Sequence, residues 1–196
     1  MEINNNNNKN NNNNKNKLEV NQYNEELLSV NTICGGMVLY EYFLLSYFDD
    51  KSRFWGQKAT DYLFQRLYVI LFLLCFLFGG YLLIYYLPFE LNLRYEEDKN
   101  KINVILLWSG VSLFYAGALS WPMTLVKGIP KYYSTISLFI TAVGAICIFA
   151  YLSNWVDVYS KLELHDRIKF GFALFASGLL VFQTLIMDLF VWSSFQ

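Results

Sequence analysis

Four stretches of this 196-residue chain, 67–87, 104–126, 133–155 and 170–192, each sustain an apolar run of about 20 residues, the length an α-helix needs to cross roughly 30 Å of hydrocarbon. The first three hold no Asp, Glu, Lys, Arg or His. Lipid offers backbone N–H and C=O groups no partner, so a run of this kind pairs them internally as a helix. The sequence therefore predicts an all-α, polytopic membrane protein with four transmembrane helices. Composition agrees: 55% of residues are hydrophobic and 16% charged, against about 25% charged in an average soluble domain. Mean hydropathy is +0.28 although the first 17 residues are almost entirely Asn and Lys.

The run boundaries carry the expected punctuation. Pro88 follows the first run, Pro130 and Lys131 separate the second from the third, and Arg167 and Lys169 precede the fourth. Tyr85, Tyr86, Tyr132, Tyr133, Trp155 and Trp192 fall at run ends, where an amphipathic ring favours the headgroup layer. Pro122 lies about a turn from the end of the second run, where its missing donor costs little, so an interfacial bend is expected there.

Residues 1–26 form an Asn-rich arm with no apolar surface to offset its ordering entropy, and we expect it to be disordered and tolerated rather than functional. About 26 residues separate the start from the first apolar stretch, so no signal peptide is expected. Residues 27–66 form a second segment. Its stretch 27–48 is long enough to span, yet it carries Asn31, Glu41, Gly35 and Gly36, and a central acid is costly on insertion scales. Val30, Ile33, Met37, Tyr40, Leu44 and Tyr47 recur at spacings of three and four and give it one apolar face. We read an interfacial or protein-docked cytosolic helix, with a fifth span as the alternative. Asp49, Asp50, Lys51 and Arg53 close it with charge, and residues 67–196 form the four-helix membrane domain.

Basic residues divide evenly between the two sides of such a bundle. Lys51, Arg53, Lys58, Arg66, Lys127 and Lys131 lie on one, Arg94, Lys99, Lys101, Lys161, Arg167 and Lys169 on the other. The long arm ahead of the first run disfavours translocation, and Glu90, Glu96, Glu97 and Asp98 mark the first loop as less cytosolic in character, so both termini are expected in the cytosol. Small residues at helical spacing are candidates for close helix packing, because hydrophobicity cannot drive association in lipid. They are Ser112, Ala116 and Ser120 in the second run, Ser137, Thr141 and Ala145 in the third, and Ala173 and Ser177 in the fourth.

Chemistry is sparse. A net charge of −1 gives none of the basic excess that nucleic acid requires. Cys34, Cys75 and Cys147 are scattered, so neither a disulfide framework nor a zinc site is spelled out. His165 stands near Asp157, Glu163 and Asp166, but it is the one histidine of the chain and is read as solvated rather than as a ligand or base. No cofactor, metal or catalytic set is expected. Asp188 is the single acid inside a run and Gln183 the strongly polar residue one or two turns deeper. An ionisable group within a span marks function by default, but Asp188 lies a turn from Trp192 and is expected to reach the interface.

Three local patterns add a family resemblance. The first run opens Tyr62, Gln65, Arg66, Leu67, Tyr68, Val69; the second nears its end with Gly117, Leu119, Ser120, Trp121, Pro122; and the fourth begins Arg167, Phe170, Gly171, Phe172. Together, in this order and over roughly residues 58–196, they resemble the Jagunal family of four-span endoplasmic reticulum proteins. The resemblance implies a non-enzymatic reticulum membrane protein with cytosolic ends that supports reticulum organisation and early secretory traffic. Its implied partners are the lipid bilayer and membrane or trafficking proteins. The alternative is a small-molecule or lipid transporter or carrier of four or five spans, which would need Asp188, Gln183 and the hydroxyl ladders to face one cavity. A lipid-modifying enzyme using His165 and Asp157 is the weakest reading.

Overall fold

Asp61 starts the helix that opens at Tyr62: its Oδ1 accepts the Phe64 amide at 3.0 Å, a side-chain N-cap for otherwise orphaned donors. In the computed structural model the chain is described over residues 24–44, 61–91, 101–125, 129–156 and 163–195. The Asn tracts, residues 45–60, Glu96, Glu97, Asp98, Lys127 and Asp157 lie outside these. Among the described residues there is no strand.

Five helices carry the fold: α1 (Asn24–Leu44), α2 (Tyr62–Gly80), α3 (Lys101–Thr124), α4 (Lys131–Ser153) and α5 (Leu164–Val181). Two of them continue with wider, i→i+5 winding, α2 over Tyr81–Leu91 and α5 over Phe182–Trp192, before a closing 3₁₀ turn at Ser193–Phe195. All five are long and apolar enough to cross a membrane, and the molecule fits a multi-pass membrane protein. The first predicted span thus begins at Tyr62 rather than residue 67 and runs past Pro88. Pro88 is buried inside the helix instead of ending it, because the wider winding replaces the α-helical i→i−4 pattern that a proline ring obstructs. The fourth begins at Leu164, so His165 is exposed on its first turn rather than in a loop. Pro122 falls in the last turns of α3, which ends at Thr124.

Helices α3 and α4 pack antiparallel at very short range. A Cβ on Gly117 would come within 2.5 Å of Ser137 O and Thr141 N; one on Gly144 would meet Phe114 Cα at 2.6 Å and overlap Phe114 N. Gly110 faces Ile148 and Cys147 in the same seam. The expected ladder on the second run is therefore corrected: Ser112 and Ala116 are exposed, and the face turned to α4 is Gly110, Phe114 and Gly117. Glycine wins because only it lets one backbone touch the next. Ser120, one turn from Gly117, donates to Gly117 O and lies 3.0 Å from Ser137 Oγ. Ser137, Thr141 and Ala145 on α4 and Ala173 and Ser177 on α5 are buried.

α5 runs antiparallel to α2, tied from end to end by Lys169 Nζ to Glu90 Oε1 at 2.7 Å, Phe78 against Phe175, Gly79 against Leu180, and Cys75 Sγ donating to Leu179 O. α1 lies lengthwise on the bundle. Asn31 Nδ2 donates to Leu83 O of α2, and Tyr115 Oη of α3 donates to Asn31 O; eleven residues later the Tyr42 ring meets Phe72 at 4.6 Å and Trp121 at 5.6 Å. Between those crossings α1 and α2 each advance eleven residues in opposite directions, about 16 Å at 1.5 Å per residue, so their axes run nearly antiparallel. That is the attitude of a further bundle helix, not of one lying flat across the bundle's end. The expected depth anchors also divide: Tyr85, Tyr132 and Tyr133 are exposed, whereas Tyr86, Trp155 and Trp192 are buried in the bundle.

Candidate functional site

Asp188 is 9% exposed and does not reach the surface. Its Oδ1 accepts the Tyr68 hydroxyl at 2.5 Å and the Gln183 amide at 2.7 Å. The expectation that this acid reaches an interface is corrected by those two bonds, which turn it inward. The Gln183 contact depends on local winding. In an α-helix, residues five apart face different directions; the i→i+5 bonding of Phe182–Trp192 stacks them. The same winding lets Tyr85 donate to Glu90 in the other wide-wound segment.

Above this polar cluster stands a cavity of about 280 Å³, close to the lower end of the roughly 300–1,000 Å³ typical of ligand pockets. α1 supplies Asn31, Gly35 and Tyr42, α2 supplies Phe72, Cys75 and Leu83, α3 supplies Tyr115 and Trp121, α4 supplies Leu138 and Thr141, and α5 with its continuation supplies Leu180, Gln183, Thr184 and Asp188. The walls are almost wholly apolar. Polar groups gather at two stations: Asp188, Gln183 and Tyr42 at one end, and the Asn31 crossing with Leu83 and Tyr115 farther along. Lining residues on α1 (Thr32, Gly36, Leu39) and on α2 (Phe76, Ile84) are exposed, so the cavity opens sideways between these helices.

Two amides are held in one sense by their partners. Asn31 Nδ2 donates to Leu83 O and Gln183 Nε2 to Asp188 Oδ1, which fixes the side of each amide on which its carbonyl oxygen lies. Asn31 Oδ1 and Gln183 Oε1 are both buried without a hydrogen-bond partner. Buried acceptors of this kind are uncommon and ask for an explanation.

Asp188, Gln183 and Thr141 of the sequence-predicted set converge on this cavity. The other ladder residues do not line it: Ser137 is engaged with Ser120 and accepts from Thr141 through its carbonyl, and Ser177 donates to Leu174 O. Of the family-like positions, Trp121 lines the cavity and Tyr68 holds Asp188. Gly117 is in the α3–α4 seam, Phe170 is buried, and Tyr62, Arg66, Arg167, Gly171 and Phe172 are exposed. Asn31, Tyr42 and Tyr115 are the residues that sequence reasoning missed as site residues. Asn31 carried a readable signal, since a polar side chain in an apolar helix is retained where protein satisfies it. Among the described residues no group of His, Cys, Asp and Glu could hold a metal ion. Compared with known protein families, curated proteins and solved structures, the chain matches none.

Proposed function

We propose that this chain is a non-enzymatic membrane carrier or sensor that holds a lipid-like small molecule between α1 and the rest of its bundle. The observation that carries this reading is a buried carboxylate, fixed by Tyr68 and Gln183, at the end of an apolar cavity that opens sideways. A charged group in a hydrocarbon setting is costly and marks function by default, and Asp188 and Gln183 share one cavity with Thr141, the other members of the hydroxyl ladders lying outside it. In this reading α1 is a fifth span, supported by its lengthwise docking and its length. An odd number of spans leaves the two ends on opposite sides of the membrane, in place of two cytosolic ends. Protease protection of a tag before Met1 and another after Gln196 tests this: opposite protection is expected, and equal exposure of both overturns the fifth span. For the carrier itself, Asp188→Asn and Gln183→Leu variants that fold normally are expected to lose lipid binding or flux. Unchanged binding and flux in both would remove the reading.

A second reading follows from the Jagunal resemblance: a reticulum protein that supports reticulum shape and early secretory traffic through partner contacts. It is favoured by one observation, that Tyr68, Gly117, Trp121 and Phe170, four positions carrying the resemblance, are all buried in the bundle. A reticular pattern for a tagged copy, with altered reticulum morphology after deletion, supports it; a plasma-membrane or vacuolar pattern sinks it.

A further inference from the structure

We infer that the cavity takes a single-chain amphiphile whose head donates hydrogen bonds and carries no negative charge, such as a long-chain amine or alcohol, with the head against Asp188. This rests on the carrier reading and adds the ligand's chemical class. The polarity of the lining decides it. Gln183, Asn31, Tyr115, Thr141, Thr184 and Cys75 all spend donors on acceptors within the protein: Asp188 Oδ1, Leu83 O, Asn31 O, Ser137 O, Leu180 O and Leu179 O. Acceptors remain, the Asp188 carboxylate and the partnerless oxygens of Gln183 and Asn31, residues 4% and 0% exposed, while Trp121 and Tyr42 bring an indole N–H and a hydroxyl to the same lining. No Lys, Arg or His is among the lining residues. A phosphate or carboxylate head would bring a second negative charge beside Asp188 with no cation to offset it, in an environment where that repulsion is strong. An ammonium or hydroxyl head donates to these acceptors, and an ammonium also neutralises the carboxylate.

Size and access fix the rest of the ligand. A volume of about 280 Å³, just under the roughly 300–1,000 Å³ of ligand pockets, suits one hydrocarbon chain. The opening between the exposed Gly36 and Leu39 of α1 and Phe76 and Ile84 of α2 lets the remaining tail lie out between these helices. Gly36 has no neighbour within 4 Å of where a Cβ would stand, so a large side chain there fills the opening without disturbing the polar end.

The experiment uses the full chain in neutral detergent with four probes: sphingosine, hexadecanol, palmitate and lysophosphatidate, followed by native mass spectrometry and thermal shift. Sphingosine or hexadecanol is expected to bind at least about tenfold more tightly than either anionic probe, the factor one charge-assisted hydrogen bond supplies. The two supporting arms separate the sources: sphingosine alone means charge pairing, and both together mean hydroxyl donation suffices. Asp188→Asn, which keeps volume and an acceptor for Tyr68, is expected to weaken binding, of sphingosine most, and so erase the preference for amine over alcohol, and Gly36→Phe to abolish binding of every probe while the polar cluster persists. Equal or tighter binding of the anionic probes, blocked by Gly36→Phe, overturns the donor-head assignment and leaves the cavity a lipid site. No binding by any probe to the folded wild-type protein overturns the carrier reading with it.

Discussion

The α3–α4 seam and the α1 flank are both helix contacts, but they are built on opposite plans. Along the seam, Gly117 and Gly144 bring backbone against backbone with no room for a single methyl, and Gly110 meets Ile148 tightly beside them. Along the flank, α1 packs Leu27, Val30, Cys34 and Val38 against the core and is pinned at Asn31 and Tyr42, yet the cavity stands between it and the rest of the bundle. In lipid, close packing holds helices together where the hydrophobic effect cannot. The seam uses that attraction fully. The flank uses it in part, through Leu27, Val30, Cys34 and Val38, adds polar and aromatic contacts at Asn31 and Tyr42, and leaves a space that a small molecule can enter. α4 is accordingly the most buried of the candidate spans and α1 the least.

The seam gives the largest expected effect. Gly144→Leu would drive a side chain into the Phe114 backbone and Gly110 O, neither of which can swing aside as a flexible side-chain tip does. We expect a loss of stability at or above the ~3 kcal/mol upper end of ordinary overpacking, read as aggregation in size-exclusion chromatography or a collapsed midpoint in denaturant titration. A Gly144→Leu protein with wild-type stability would mean the two helices are not in backbone contact. Next comes Tyr68→Phe, which keeps the ring and deletes the donor to Asp188. Hydrogen bonds between membrane helices are worth about 0.6 to 1.7 kcal/mol. A loss in that range is expected in reversible unfolding in mixed micelles, with faster maleimide labelling of the buried thiol Cys75, which lines the same cavity.

The different legibility of the two regions has a physical basis. Runs of Leu, Ile, Phe and Val at bilayer length are read directly, because length and hydropathy alone make the helices; hence the four long helices were legible, with ends that wander by several residues. Packing was half legible. Ser137, Thr141 and Ala145 stand on a buried face of α4, but on α3 two ladders coexist in the sequence, Ser112–Ala116–Ser120 and Gly110–Gly117. Nothing local says which one faces α4. The partner's Gly144 decides, and that is a contact between residues far apart in the chain. The site was least legible. Asp188 and Gln183 are five apart and seem to diverge at α-helical period, until the wider winding of Phe182–Trp192 stacks them. Tyr68, 120 residues away, stands in the sequence only as part of the family-like opening of the first run, and nothing local places its hydroxyl on Asp188. Asn31 counts against a span on a hydropathy scale, although it is the side chain that fastens α1 to the Leu83 carbonyl.

That fastening sets the third expected effect. Asn31→Leu removes the bond to Leu83 O and the unsatisfied Oδ1 together. The two losses partly offset, so we expect a net change of at most about 1 kcal/mol. A disproportionate change is expected in α1 alone, read as increased hydrogen exchange in residues 24–44 while the α3–α4 seam stays protected. Equal exchange in both regions would show that α1 does not separate from the bundle as a unit.

The smallest effect carries the opposite sign and sharpens the comparison most. Gly36→Ala makes the same kind of change as Gly144→Ala, one added methyl inside a helix. At Gly144 the methyl has no room, and at Gly36 it meets nothing within 4 Å. An open site leaves only the backbone contribution: alanine is favoured over glycine in a helix interior by up to about 1 kcal/mol, mostly because the unfolded chain has less freedom to lose. Gly36→Ala is therefore expected to raise the unfolding midpoint slightly, and Gly144→Ala to lower it clearly, in the same micelles and at the same denaturant slope. A loss of stability at Gly36 would mean that α1 sits closer to its neighbours than the cavity allows, and the flank would then be a second seam.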